Sequence, residues 1–189
     1  LMTYESRIFD KNTEAIATES RKSIQKVLDT RQDIEKAGID VGMVSVGGTS
    51  NYQIAAGMSG VTEVPAGTYA LMDGRYRPHC PQFQPAAHIL GIVVSTPEDG
   101  VAIMDAGGKT IGADIGQPTV ENIPGVTVRS LSAEHGNLVL AEGGVSVGDK
   151  VWVLPWDVGL AFNLHDFAQV VRDGRLESVW DLPARGRYR

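Results

Sequence analysis

The sequence predicts a chain in two parts, an α/β piece followed by an antiparallel β domain. Three observations carry this. Up to about Asp73 a strand, a long helix, a second strand and a glycine turn follow one another, which is the rhythm of a parallel sheet in a barrel or doubly wound fold. Beyond the proline-rich connector Arg75 to Pro85, apolar residues alternate in short runs separated by glycines, and no helix longer than a turn or two is needed after residue 76. Asp173-Gly174 then sits between two such runs, the clearest hairpin signal in the chain. The parts are residues 1–76 and 77–189.

Leu1-Met2-Thr3-Tyr4-Glu5 reads as the end of a strand already under way, so a longer polypeptide is expected. From Asp10 to Ala37 an amphipathic helix is predicted, with Ala17, Ile24, Val27, Leu28 and Ile34 near one face and Gly38 as its stop. Val41 to Val46 follows as a buried strand, Asn51 to Gly57 as a short helix, and Val61 to Val64 and Tyr69 to Met72 as further strands around the Pro65-Ala66-Gly67 turn. Three strands cannot close a barrel, and their edge would stand unpaired. In the second part the strands are His88 to Ser95, Val101 to Asp105, Val126 to Leu131, Asn137 to Leu140, Lys150 to Leu154, Leu160 to Leu164, Phe167 to Arg172 and Arg175 to Trp180. Trp152, Trp156 and Phe162 alternate in strand fashion and read chiefly as core.

Composition narrows the function. Hydrophobic residues at 42% suffice for a packed core. A formal charge of −6, with no cluster of Lys and Arg, argues against nucleic acid or an anionic membrane as partner. The longest apolar runs are strand-sized, so no segment is expected to span a bilayer. The single cysteine, Cys80, excludes an internal disulfide framework, fits a reducing cytoplasm and reads as an incidental loop thiol.

The stretch richest in chemistry is Val44-Ser45-Val46-Gly47-Gly48-Thr49-Ser50-Asn51-Tyr52. Glycines after a strand let the backbone approach an anion and aim several N–H groups one way, while Thr49 and Ser50 add hydroxyl donors and the helix start adds partial positive charge. The same pattern also serves as a plain tight turn. It is neither the Walker pattern, since no Gly-Lys-Ser/Thr follows, nor the dinucleotide fingerprint, since the third glycine and the later acidic residue are not in place.

Further segments sharpen the picture. Thr62-Glu63-Val64-Pro65-Ala66-Gly67-Thr68-Tyr69, Asp105-Ala106-Gly107-Gly108-Lys109, Leu131-Ser132-Ala133-Glu134-His135-Gly136, Val147-Gly148-Asp149-Lys150-Val151, Asn163-Leu164-His165-Asp166 and the closing Trp180 with Ala184-Arg185-Gly186-Arg187 come in this order. Together with the Gly-Gly-Thr turn they resemble the D-threonine aldolase / D-serine dehydratase family of alanine-racemase-type (fold III) enzymes, which use pyridoxal phosphate (PLP). The likeness covers essentially the whole chain. It implies the last βα units of a PLP-binding TIM-type barrel followed by the antiparallel β domain. It also implies a lyase acting on D-configured or β-hydroxy amino acids by aldol cleavage or dehydration, with an amino-acid racemase or a non-catalytic PLP-binding subunit as alternatives. By the same resemblance Gly47, Gly48, Thr49 and Ser50 would hold the phosphate and Tyr4 and Tyr69 would lie beside cofactor or substrate. The complete protein would be a homodimer.

Two departures from the family pattern follow. The Schiff-base lysine belongs on a first barrel strand that these residues do not contain; the six lysines are Lys11, Lys22, Lys26, Lys36, Lys109 and Lys150. An N-terminal barrel segment or companion chain is therefore expected, and the chain alone should be inactive. The family's metal motif, Pro-Asn-His-x-Cys or Asp, falls on Pro155-Trp156-Asp157-Val158-Gly159. That leaves Asp157 as a possible hard oxygen ligand for Mg²⁺ or Mn²⁺, or no metal at all. Asp157 reads either as ligand or general base, or as a turn-capping carboxylate. His135 reads either as ligand or proton donor, or as a histidine bonded in a β corner. Glu63 could orient PLP or merely accept backbone N–H groups. His165 and Asp166 read as a structural charged pair, and His79 and His88 as surface residues.

Overall fold

Asn12 opens the first helix: its Oδ1 accepts the N–H of Ala15 at 2.8 Å, satisfying one of the donors every helix start leaves over. In the computed structural model this helix, α1, runs Thr13–Lys36, and Gly38 follows at φ +86°, as a stop requires. The structure describes residues 1–5, 12–141 and 144–187. Asp10 and Lys11, predicted to begin the helix, lie outside the described residues.

The chain divides into two compact units, Leu1–Ala70 with Tyr76–Phe83, and Leu71–Arg75 with Gln84–Arg189. In the first, β1 (Met2–Thr3) pairs in parallel with β2 (Ser45–Val46), and Ser45 forms a single parallel bridge to Glu63. The predicted strands Val41–Val46 and Val61–Val64 therefore shrink. A strand extends only where a neighbour offers a ladder, and here the Val44 backbone is taken up by Thr62: its N–H donates to Thr62 Oγ1 at 2.8 Å and its carbonyl accepts the Thr62 N–H at 3.0 Å. Tyr69 to Met72 is not a strand either. Thr68–Ala70 is a 3₁₀ turn, because the Gly67 carbonyl accepts the Ala70 N–H and Thr49 Oγ1 takes the Tyr69 N–H out of any ladder. The short helix α2 is Tyr52–Ala56. Ile24 and Leu28 of α1 pack on Val41, Val44, Val46 and Ala55. Each such aliphatic side chain contributes about 1.5–3 kcal/mol by leaving water.

The second unit is built on a six-stranded antiparallel sheet. Its strands are β3 (Ile89–Glu98), β4 (Val101–Met104), β5 (Thr119–Val120), β6 (Val126–Leu131), β7 (Gly136–Leu140) and β8 (Lys150–Leu154), in the order β5-β8-β3-β4-β7-β6. The end strands β5 and β6 lie beside one another, so the sheet is nearly closed. Val93, Ala102, Met104, Leu138, Val151 and Val153 fill its core. Helices α3 (Gly108–Ile111) and α4 (Val158–Phe162) follow β4 and β8. A separate hairpin pairs β9 (Phe167–Arg172) with β10 (Arg175–Asp181), and Asp173 (φ 50°) and Gly174 (φ 73°) are both left-handed at its tip, as a two-residue turn demands.

Two sequence expectations give way here, and one strand lies outside them. Leu160–Leu164 was expected as a strand, yet residues 160–162 lie in α4, because Asp157 caps a helical turn before any strand partner is met. The two-residue β5 after Pro118 is too short to show periodicity. Trp152 stays 37% exposed, in register with Leu90 on the outward face, while its neighbours Val151 and Val153 point inward, since successive residues of a strand face opposite ways. No helix among the described residues is long and apolar enough to cross a membrane.

Candidate cofactor-binding site

The first unit brings Tyr4, Gly47, Gly48, Thr49, Ser50 and Tyr69 into one neighbourhood. Gly47 stands at φ +81°, and a Cβ there would come within 2.9 Å of both Ala55 Cβ and Asn51 Oδ1. Gly48 faces the Tyr4 ring, with Cε2 3.1 Å from where its Cβ would be. Gly47 thus needs glycine for conformation and for space, while a side chain at Gly48 would press the Tyr4 ring aside by a few tenths of an ångström. The turn is not a bare row of amides, however: the Gly48 N–H donates to Asn51 Oδ1 at 2.8 Å, a buried bond. Among the described residues the N–H groups of Thr49 and Ser50 take no hydrogen-bond partner. The following helix, α2, has five residues, so its dipole adds less charge than the sequence suggested.

Thr49 is held at two points. Its Oγ1 accepts the Tyr69 N–H at 3.1 Å, which leaves the hydroxyl proton to donate elsewhere. Its carbonyl accepts the Cys80 thiol at 3.3 Å. Cys80 is thus no incidental loop thiol: it is buried, and burial pushes its pKa up, keeping the sulfur protonated as the donor this bond needs. Tyr4 and Tyr76 join hydroxyl to hydroxyl at 2.9 Å, and Tyr69 packs its ring on Phe83 with centroids 5.6 Å apart. Ser20 and Tyr76 escaped the sequence reading, and Asn51 entered it only as the start of the short helix. Asn51 sits beside the glycines, whereas Ser20 and Tyr76 arrive from distant segments and carry no local signal.

His135 and Asp157 belong to the second unit, on separate loops. Asp157 is the N-cap of α4, its Oδ1 accepting the Leu160 N–H at 3.0 Å. Replacing Asp157 with Ala is expected to cost about 1 kcal/mol through loss of this cap, read as a lower melting temperature; an unchanged one would contradict the cap's role. Asp73, 2% exposed, accepts the Val158 N–H at 3.2 Å. The described residues hold no group of three or more His, Cys, Asp or Glu that could bind a metal.

His135 lies in the exposed turn between β6 and β7, where Ser132 N–H donates to its carbonyl at 2.8 Å. Gly107 packs against this turn backbone to backbone, and the N–H groups of Gly108 and Lys109 donate to the Ser132 and Ala133 carbonyls at 2.8 and 3.1 Å. The two family-like segments 105–109 and 131–136 therefore form one structural corner. Across it Lys109 Nζ meets Glu134 Oε1 at 2.6 Å; the hydrogen bond first, and then the opposite charge, raise the lysine's pKa and lower that of Glu134. His165 and Asp166 do not pair: His165 Nε2 bonds the Thr110 carbonyl at 2.9 Å and Asp166 pairs with Arg185 at 2.9 Å. The Glu63 side chain is exposed, while its carbonyl accepts the Val46 N–H at 3.1 Å.

The chain is similar to several known proteins. Residues 86–171 match the family model described as "Putative serine dehydratase domain". The chain is 36% identical over 162 residues to a D-threonine aldolase of Arthrobacter sp, across 82% of this chain and 42% of the relative. It is 31% identical over 174 residues to the 3-hydroxy-D-aspartate aldolase of Paracoccus denitrificans (strain Pd 1222), across 87% of this chain and 45% of the relative. The crystal structure of D-threonine aldolase from Filomicrobium marinum superposes with a TM-score of 0.92 at 29% identity, over 98% of this chain and 53% of that one. The fold is that of the alanine-racemase-like enzymes. The chain spans about half the length of the curated relatives it matches. It is a homologue of the C-terminal part of the D-threonine aldolases and 3-hydroxy-D-aspartate aldolases.

Proposed function

We propose that this chain forms the phosphate-anchoring side of a PLP-dependent lyase for D-configured β-hydroxy amino acids, cleaving or dehydrating them. The observation that carries the reading is the Gly47-Gly48-Thr49-Ser50 turn. Gly47 admits no side chain, two of the turn's N–H groups take no partner among the described residues, and its threonine hydroxyl keeps a proton to give. These features fit a phosphate, and the names of the aldolase relatives supply the substrate class.

PLP, when bound, supplies an electron sink that lets a bond at the substrate α-carbon break. The work left to this chain is to grip and orient. Thr49 and Ser50 offer amide and hydroxyl donors, while Tyr4 lies against Gly48 and Tyr69 beside Thr49. A barrel-completing segment or companion chain brings the covalent lysine, and the relatives, about twice as long as this chain, have room for one. The short β1–β2 pair, in which Met2 of β1 is 75% exposed, is an edge such a segment would cover. A homodimer at work in the cytoplasm completes the reading. Among the described residues Asp157 belongs to no group of three or more His, Cys, Asp or Glu, so the donor set there does not suit a metal.

The test uses the complete protein stripped of cofactor. Pyridoxal 5′-phosphate should restore cleavage of D-threonine to glycine and acetaldehyde, whereas pyridoxal, which lacks the phosphate, should not. Equal recovery with both, or neither cleavage nor dehydration of any D-β-hydroxy amino acid with cofactor saturating, would overturn the proposal.

A further inference from the structure

One buried side chain organises the turn from behind. Asn51 is 4% exposed, and its amide is used at both ends. Oδ1 accepts the Gly48 N–H at 2.8 Å, while Nδ2 donates to Glu5 Oε2 at 3.1 Å and to Ser20 Oγ at 3.0 Å. Ser20 is fully buried on α1, and Glu5 follows β1 and Tyr4 in the chain. The Asn51 backbone adds to this, its N–H donating to the Gly48 carbonyl and its carbonyl accepting the N–H groups of Ile54 and Ala55. The end of β1, the middle of α1, the glycine turn and the start of α2 thus meet on one residue.

We infer that Asn51 is the positioning residue of the phosphate turn, withdrawing the Gly48 N–H from the ligand and leaving recognition to Thr49 and Ser50. This rests on the proposed function. Only an amide meets the demand, because one end must accept from backbone and the other must donate to a carboxylate and a hydroxyl. Aspartate has the same shape and can still accept from Gly48, but it would set a second carboxylate against Glu5 at hydrogen-bond distance, where two carboxylates cannot both stay ionised. The strain reaches the turn through Gly47, whose missing side chain leaves the space that Asn51 Oδ1 fills.

The test measures dissociation constants of the complete protein, stripped of cofactor, for pyridoxal 5′-phosphate and for pyridoxal by equilibrium dialysis. The parent should prefer the phosphorylated form. Asn51→Asp should lose about 10- to 100-fold of that preference, with pyridoxal affinity unmoved and phosphate affinity recovering as the pH is lowered. The double variant Glu5→Gln/Asn51→Asp, which restores a donor facing an acceptor, should regain most of it, and it keeps the test decisive if the single variant fails to fold. A parent without preference would overturn the proposed function and this inference together. A parent with preference that Asn51→Asp retains, or a double variant as weak as the single one, would overturn this inference alone.

Discussion

Placing alanine at Gly107 is expected to destabilise the β unit strongly. The backbone there is extended, φ −118° and ψ −162°, so conformation is no obstacle. Space is. An added Cβ would lie 2.5 Å from His135 N, 2.6 Å from Glu134 C and 2.6 Å from Ser132 O. These are backbone atoms of a turn tied down by the bonds from Gly108, Lys109 and Ser132, so no side chain can swing aside. Overpacking typically costs about 1–3 kcal/mol, and a clash with fixed backbone belongs at or above the top of that range, against a total stability of about 5–15 kcal/mol. Thermal unfolding followed by circular dichroism should show a melting temperature lower by roughly 10 °C or more, if the variant folds at all. Gly144→Ala is the control, since nothing lies within 4 Å of that position and its φ is not positive. A Gly107→Ala protein melting with the parent would mean that the corner between residues 105–109 and 131–136 is not packed as described.

The second large effect concerns catalysis. The 189-residue chain by itself should leave D-threonine untouched, falling short of the complete protein by roughly the millionfold or more that enzymes gain over solution. An amine that attacks a carbonyl must be deprotonated, and a lysine earns that by burial or by a neighbouring positive charge. The described lysines have neither advantage. Lys22, Lys26 and Lys36 are exposed along α1, Lys150 is exposed at the start of β8, and Lys109 is held protonated by Glu134, with its pKa raised. Measurable cleavage by the chain alone, saturated with pyridoxal 5′-phosphate, would contradict this.

Much of the second unit was legible because local signals suffice for antiparallel strands. The alternation in β3 and the paired left-handed residues Asp173 and Gly174 need no knowledge of distant segments. The errors fall where a long-range partner decides. Val41–Val46 has strand composition, but only Ser45 and Val46 meet β1, so the rest does not pair. Leu160–Leu164 is apolar enough for a strand, yet Asp157 captures the Leu160 N–H and starts α4 first. At the site, the glycines and hydroxyls of the turn could be read from their spacing. What could not be read is that Asn51 spends the Gly48 N–H, because that requires Ser20 and Glu5, 31 and 46 residues away, to complete its bonds.

At the centre of the account is a division of labour, in which these residues grip the phosphate and another segment supplies the reactive amine. Borohydride reduction of the complete, cofactor-loaded protein fixes the cofactor to whichever lysine holds it, and peptide mapping by mass spectrometry then names that lysine. The account predicts a single modified lysine outside residues 1–189, and no pyridoxyl mark on any of the six within them. A mark on one of those six would contradict it.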